Sequence, residues 1–263
     1  QFIERTLSGH IVGRVTLLAA IEMPSVDTTR NVALYFSKTS DVNAIIVNAP
    51  WTIAASITVD GALKIDITSQ HLGPVGLTLD SIDVSVDPMM PEPDFFQGEN
   101  VALSVQNGET ASDIADWLEF HIREQALTAA AIFYRAMPDK VTGFGANLEQ
   151  EIQARGITAK ILCIAANTPF GHPDMPPEWH PYATPGAPGK DRMEIPPANP
   201  WRSPMNEVHF FEICRHLFLN QARAVANIDV CDLLFNDTHG SIFDRAEQSQ
   251  TGIITLLGRQ CYP

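Results

Sequence analysis

The chain has 263 residues, 45% of them hydrophobic, and carries 31 acidic against 17 basic side chains for a formal net charge of -14. That length and apolar share can build one large core or two ordinary domains, while the charge argues against nucleic acid and anionic membrane surfaces as partners. Cys163, Cys214, Cys231 and Cys261 include no CxxC pair, so neither a zinc ribbon nor a dense disulfide framework is indicated, and a reducing, cytoplasmic setting fits best.

The first residue is Gln1, no signal peptide is visible, and no apolar run approaches the roughly 20 residues that cross a bilayer. From His10 to Asp87 come short β-branched runs separated by Pro, Gly, Asn and Asp. Residues 1–87 are therefore expected to form an all-β N-terminal domain, an antiparallel sandwich or small barrel. Leu63, Ile65 and Ile67 alternate with Lys64, Asp66 and Thr68, which predicts one wet face for that strand. Asp60 and Gly61 mark a hairpin ahead of it. Tyr35, Phe36 and Trp51 could stack on a glycan, but no motif here carries chemistry and a supporting role is the safer expectation.

Residues 88–99 hold Pro88, Pro91 and Pro93 among acidic side chains, which predicts a wet linker without regular structure. Beyond it, from 100 to 263, strand-like and helix-like segments alternate in the manner of parallel βαβ units, an α/β domain. Thr110 with Asp113 has the form of a capping box, and Ile114, Trp117, Leu118 and Ile122 make an apolar stripe on the helix that follows. Gly156 is placed to close a second helix. Residues 168–204 contain a dense run of prolines, too many for a helix or central strand. Trp179, Tyr182 and Trp201 within it argue for a packed or ligand-binding loop. A buried helix over residues 206–223 and a strand over 224–235 follow. The chain then stops just after a strand-like run, Gly252 to Leu257, with no obvious terminal helix, and is expected to be truncated there.

This order resembles the family 2 and family 92 glycosyltransferases, in which an Asn-Glu turn ends a strand, a helix of the form EWxxYH follows, and a DxD motif ends a later strand. The matching positions are Asn107 and Glu109, then Asp116, Trp117, Phe120 and His121, then Asp229 and Asp232. Order and spacing carry the resemblance over about half the chain. It implies a GT-A-like, mostly parallel sheet with flanking helices, binding a nucleotide-sugar donor and transferring the sugar to a glycan or small-molecule acceptor. It further implies a divalent metal, Mn²⁺ or Mg²⁺, on Asp229 and Asp232, with Asn107, Glu109, Arg135 and Arg202 on the nucleotide side. Lys190 and Arg192 in the Pro-rich loop could close over the same anion. The chain departs from the pattern at Cys231, whose soft thiolate is a poor Mg²⁺ ligand. In an extended strand Asp229 and Cys231 point to one face and Asp232 to the other, so the two aspartates converge only if the chain turns.

Each residue also has a plain structural reading. Asn107 and Glu109 suit turn and capping preferences, Arg135 suits an ion pair, and His121 suits a satisfied structural histidine. Two rival clusters stand: His172, Asp174 and His180 have the composition of a non-haem iron triad, and His209, Glu212 and His216 fall at helical spacing, where Glu212 pairing with Arg215 or His216 is the plainer outcome. No GxSxG, HExxH or GxxxxGK motif is present. A sugar-nucleotide-dependent glycosyltransferase is the leading expectation. A non-catalytic binding or scaffold protein on a degenerate transferase domain is the alternative.

Overall fold

The computed structural model describes the chain except residues 39, 60, 136–142, 173, 179, 184, 185, 187, 205, 206, 237–239, 257 and 259–263, and only the backbone of residues 26 and 207. Nine strands come first: β1 (Phe2–Leu7), β2 (His10–Val12), β3 (Val15–Val26), β4 (Thr29–Phe36), β5 (Ile45–Val47), β6 (Thr52–Val59), β7 (Ala62–Ser69), β8 (Val75–Leu79) and β9 (Ile82–Val86). β2 to β9 build an antiparallel sandwich, with one sheet in the order β2-β3-β4-β7-β6 and the other in the order β5-β8-β9. Val15, Leu34, Phe36, Trp51, Ile65, Ile67, Leu77 and Leu79 are among the side chains packed between them. The β8–β9 hairpin turns on Asp80 and Ser81, both at positive φ (46° and 70°), the paired left-handed conformation that matches strand twist.

The second half alternates β10 (Asn100–Gln106), α1 (Ala111–Gln125), β11 (Ala129–Arg135), α2 (Phe144–Ala154) and β12 (Lys160–Ala166). After the Pro-rich loop come α3 (Glu207–Cys214), a wider π-turn over Arg215–Leu219, β13 (Ala224–Asn227) and α4 (Ile242–Gln248). The five-stranded sheet β1-β12-β11-β10-β13 is parallel throughout. Its three central strands, β10, β11 and β12, are buried on both faces, hence their near-continuous apolar sequence. Trp117, Leu118, Leu148, Ile152 and Phe243 from α1, α2 and α4 pack on one face. Phe210, Ile213, Leu217 and Phe218 from α3 and its π-turn pack on the other, together with Leu18, Ile21, Ala33 and Tyr35 of the sandwich. The mixed α/β class with an antiparallel region is therefore as expected. No helix among the described residues is long and apolar enough to cross a membrane.

The local signals in α1 and α2 act as the sequence predicts. Thr110 and Asp113 form a reciprocal capping box, worth about 1 kcal/mol, and Gly156 follows α2 at φ 66°. The boundaries fare differently. β1 lies in the parallel sheet beside β12, so the chain does not divide into an all-β unit ending at 87 and an α/β unit beginning at 100. Residues 88–99 lack helix and extended strand, yet they are not a wet linker. Phe96 is fully buried and Phe95 nearly so, Met89 exchanges backbone hydrogen bonds with Ala20 and Glu22, and Glu92 pairs with Arg5 through two hydrogen bonds. The two phenylalanines supply apolar area that outweighs the polar neighbours. Lys64, Asp66 and Thr68 are half-buried where Leu63, Ile65 and Ile67 are buried, the expected alternation, and Lys64 pairs with Asp66 on the wetter face. Tyr35, Phe36 and Trp51 are core residues and cannot present rings to a glycan. At the far end, the described part of 252–257 is not a strand, and α4, which sequence reading missed, is capped by Ser241, whose hydroxyl accepts from the Asp244 amide.

Candidate functional site

In the parallel sheet the chain passes from β10 to β11 to β12 in one direction and returns to place β13 on the opposite side of β10. The connections leaving β10 and β13 thus diverge, which opens a crevice beyond their carboxyl ends, the usual ligand position in such sheets. A cleft of about 210 Å³ lies there, lined by Ser104, Val105, Phe211, Asn227, Ile228, Asp229 and Asp232. Ser104, absent from the sequence-level candidates, is 2% exposed and its hydroxyl has no hydrogen-bond partner. A buried, unpartnered hydroxyl facing a cleft is a ready contact for a ligand. Only a serine at an otherwise apolar inward position of β10 signals it in the sequence.

The strand expected over 224–235 stops at Asn227, and the chain turns. The Asp232 amide donates to the Asp229 carbonyl at 3.0 Å, and the Asp229 amide faces the Asp232 carboxylate at 3.4 Å. This is the turn that convergence of the two aspartates required. Helix α1 holds it in place. Trp117 Nε1 donates to the Asp232 carbonyl at 3.1 Å, the Leu234 amide donates to His121 Nε2 at 3.2 Å, and Gln125 Nε2 donates to the Leu234 carbonyl at 2.9 Å. His121 Nδ1 faces the Trp117 carbonyl at 2.8 Å. With Nε2 accepting, the ring is neutral with its proton on Nδ1, and burial pushes its pKa below the ordinary value. His121 is thus a structural histidine that positions the aspartate turn. Withdrawal from water, then the carboxylates of Asp232 and Glu109, raises the pKa of Asp229. Such a carboxylate is stabilised by an arriving cation.

The remaining candidates gather around Arg135 at the end of β11. Its side chain is 4% exposed. Nη1 donates to the carbonyls of Trp201 and Ser203 at 2.9 and 3.3 Å, and Nη2 donates to Asn107 Oδ1 at 3.1 Å and lies 3.5 Å from Glu178. Nε is buried without a partner. Burial lowers the Arg135 pKa, an effect opposed chiefly by Glu178, whose own pKa burial raises. Arg135 therefore ties the Pro-rich loop to the strand ends. Asn107 and Glu109 form the expected turn, with the Asn107 amide donating to the Glu109 carboxylate at 2.6 Å. Gly108 between them has φ 132°, a conformation closed to side-chain-bearing residues although the space beside it is open. Arg202 follows in the loop, its carbonyl accepting from the Glu178 amide at 2.8 Å, and its charge is felt by both Arg135 and Glu178. Lys190 and Arg192 sit elsewhere on that loop; Arg192 is 87% exposed and Lys190 lies over the Tyr182 ring.

The rival clusters are occupied by local bonding. His172 Nδ1 accepts from the Asp174 amide and His180 Nδ1 from the Tyr182 amide, both as turn contacts. On α3, His209 Nε2 faces the Leu63 carbonyl at 3.0 Å, and Glu212 pairs with Arg215 and His216 as the plainer reading expected. Among the described residues no group of three or more His, Cys, Asp or Glu side chains is arranged to hold a metal ion. Cys231 is exposed with a free thiol, and Cys163 and Cys214 are buried and free. No protein-family model, curated protein or solved structure matches the chain.

Proposed function

We propose that the chain is a metal-assisted glycosyltransferase of GT-A type, binding a nucleotide-sugar donor across the carboxyl ends of β10, β11 and β13. The observation that carries this reading is the turn at Asp229–Asp232, which brings two hard oxygen donors to the crevice between β10 and β13, beside the unpartnered hydroxyl of Ser104. Two carboxylates suit Mn²⁺ or Mg²⁺, which complete their shells with water and phosphate oxygens rather than with a full protein cage. When bound, such an ion neutralises charge on a diphosphate leaving group. The chain's own contribution is to orient the donor against Ser104 and Phe211, and to balance its charge with Arg135 and Arg202 behind the strand ends.

A non-catalytic, ligand-binding role on the same fold is the second reading. The internal pairing of Asn107, Glu109 and Arg135 favours it, since those polar groups are already engaged. The first test is thermal stability with UDP-sugars and GDP-sugars, with and without Mn²⁺. Stabilisation that needs both components and disappears in Asp229→Ala supports the cation-dependent site. Absence of a shift with every nucleotide removes both the donor site and the transferase. Release of free sugar or transfer to an acceptor then separates the enzyme from the binding protein.

A further inference from the structure

The cleft between β10 and β13 is selective in size, in bonding groups and in charge. Its volume of about 210 Å³ equals that of about seven waters at roughly 30 Å³ each, and falls short of the roughly 300–1,000 Å³ of pockets that enclose a whole drug-sized ligand. It is therefore too large for an ion alone and too small for a nucleotide, and suits a single sugar ring. Val105, Ile228 and the half-buried ring of Phe211 offer apolar surface to the C–H faces of such a ring. The Ser104 hydroxyl, the Asn227 carboxamide and the Asp229 and Asp232 carboxylates offer it hydrogen bonds, and a sugar hydroxyl, which both donates and accepts, can answer each of them. Of these four only Ser104 is buried, and its hydroxyl is unpartnered. Charge narrows the class further. Among the described residues no basic side chain lines the cleft, and the charges that bear on Asp229 are the carboxylates of Asp232 and Glu109. Arg135 and Arg202 bear instead on Glu178 of the Pro-rich loop. Positive charge thus lies on the loop side of the strand ends and negative charge at β13.

We propose that this cleft seats the sugar of the donor and admits an uncharged hexose while excluding a uronic acid, with Ser104 hydrogen-bonded to one sugar hydroxyl and the nucleotide outside, toward the end of β11. The inference rests on the donor-binding reading above, and adds to it the class of sugar and the residue that reads it. A sugar hydroxyl at Ser104 gives a buried polar group its partner, so its contribution exceeds that of a bond made in open water. A sugar carboxylate in the same place meets Asp229 and Asp232 with no basic side chain to offset them. The two aspartates match the charge of a divalent ion on their own, which leaves none for an acid group on the sugar.

The test is calorimetric titration of the full chain with Mn²⁺ present, in two series: UDP, UDP-glucose, UDP-galactose and UDP-glucuronate, then GDP, GDP-mannose and GDP-mannuronate. In the series that binds, a neutral-sugar nucleotide should bind about tenfold or more tighter than the bare nucleoside diphosphate, and the uronate about tenfold or more weaker than the neutral sugar. Ser104→Ala should weaken the neutral-sugar nucleotide about tenfold and the bare nucleotide by less. A uronate that binds as tightly as the neutral sugar, or a sugar that adds nothing to the bare nucleotide, overturns the proposal and leaves the donor site standing. So does a Ser104→Ala variant that weakens sugar-bearing and sugar-free ligands equally. Failure of every ligand in both series to bind removes the donor site itself, and the proposal with it.

Discussion

Replacing Arg135 by methionine keeps the length of the side chain and removes its five donors. Four groups lose their partner: the carbonyls of Trp201 and Ser203, Asn107 Oδ1 and the carboxylate of Glu178. They are not equally dependent on it. Asn107 is exposed and Trp201 is half-buried, so water can replace the lost donor there, whereas Ser203 is fully buried. An orphaned buried acceptor costs about 1–3 kcal/mol, and a partly buried carboxylate stripped of its counter-charge adds a similar amount. Removing the guanidinium also removes its own desolvation, including that of the unpartnered Nε, so the net loss should be about 2–4 kcal/mol. The assay is urea unfolding, read as a shift in midpoint at constant slope, with limited proteolysis of residues 168–204 as the local report. Arg192→Met, at an 87% exposed site on the same loop, is the control and should change stability by less than about 0.5 kcal/mol. A loss below about 1 kcal/mol for Arg135→Met, with unchanged proteolysis, would refute the argument that this cation ties the loop to the sheet.

Ser104→Ala removes a buried hydroxyl that bonds to nothing in the protein. Stability should hold or rise by up to about 1 kcal/mol while nucleotide affinity falls; a clear loss of stability would show that the hydroxyl has an internal role. His121 and His209 are held neutral, burial being the main cause in each, so their folded pKa values lie below those of the unfolded chain. Their stabilising contribution is present above about pH 6.5 and is lost as pH falls through the depressed folded values. Glu178 and Asp229, raised by burial, act in the opposite sense: their contribution is present at low pH and is lost as pH rises through the raised values. The melting temperature should thus decline from about pH 7 to pH 5, with a flatter profile in His209→Gln, whose amide can still donate to the Leu63 carbonyl. A His209→Gln variant whose melting temperature falls with pH as steeply as that of wild type would show that this ring is not held neutral by the fold.

The second half was legible where signals are local. Apolar strands, the Thr110 cap, the Trp117 stripe and the glycine after α2 act within a few residues of themselves, and each appears in the structure. What stayed hidden depends on distant partners. Phe2–Leu7 gives no sign that its neighbour is the strand at 160–166, because parallel pairing leaves no turn to read. Phe95 and Phe96 sit among prolines and acids, so composition points to solvent while their rings fill the core. At the candidate site, the sequence posed the geometry of Asp229 and Asp232 as a question about a turn. The answer lies in Trp117, His121 and Gln125, more than a hundred residues away, whose hydrogen bonds hold the backbone at 232–234. Ser104 was missed because one hydroxyl in an apolar strand looks like a neutral substitution until the space beside it is known.

The position of β1 also bears on the order of assembly. Phe2–Leu7 leaves the ribosome more than a hundred residues ahead of Ile161–Ala166, the stretch it pairs with. Until it emerges, the first strand can only wait in an extended or loosely collapsed form while the sandwich behind it closes. Non-local pairing of this kind slows folding, and it leaves an unpaired strand exposed in the interval. It also sets a condition on dissection. A fragment starting at residue 88 or 100 would give β12 a bare lateral edge, so its failure to fold would measure the missing six-residue strand and not the worth of the α/β half.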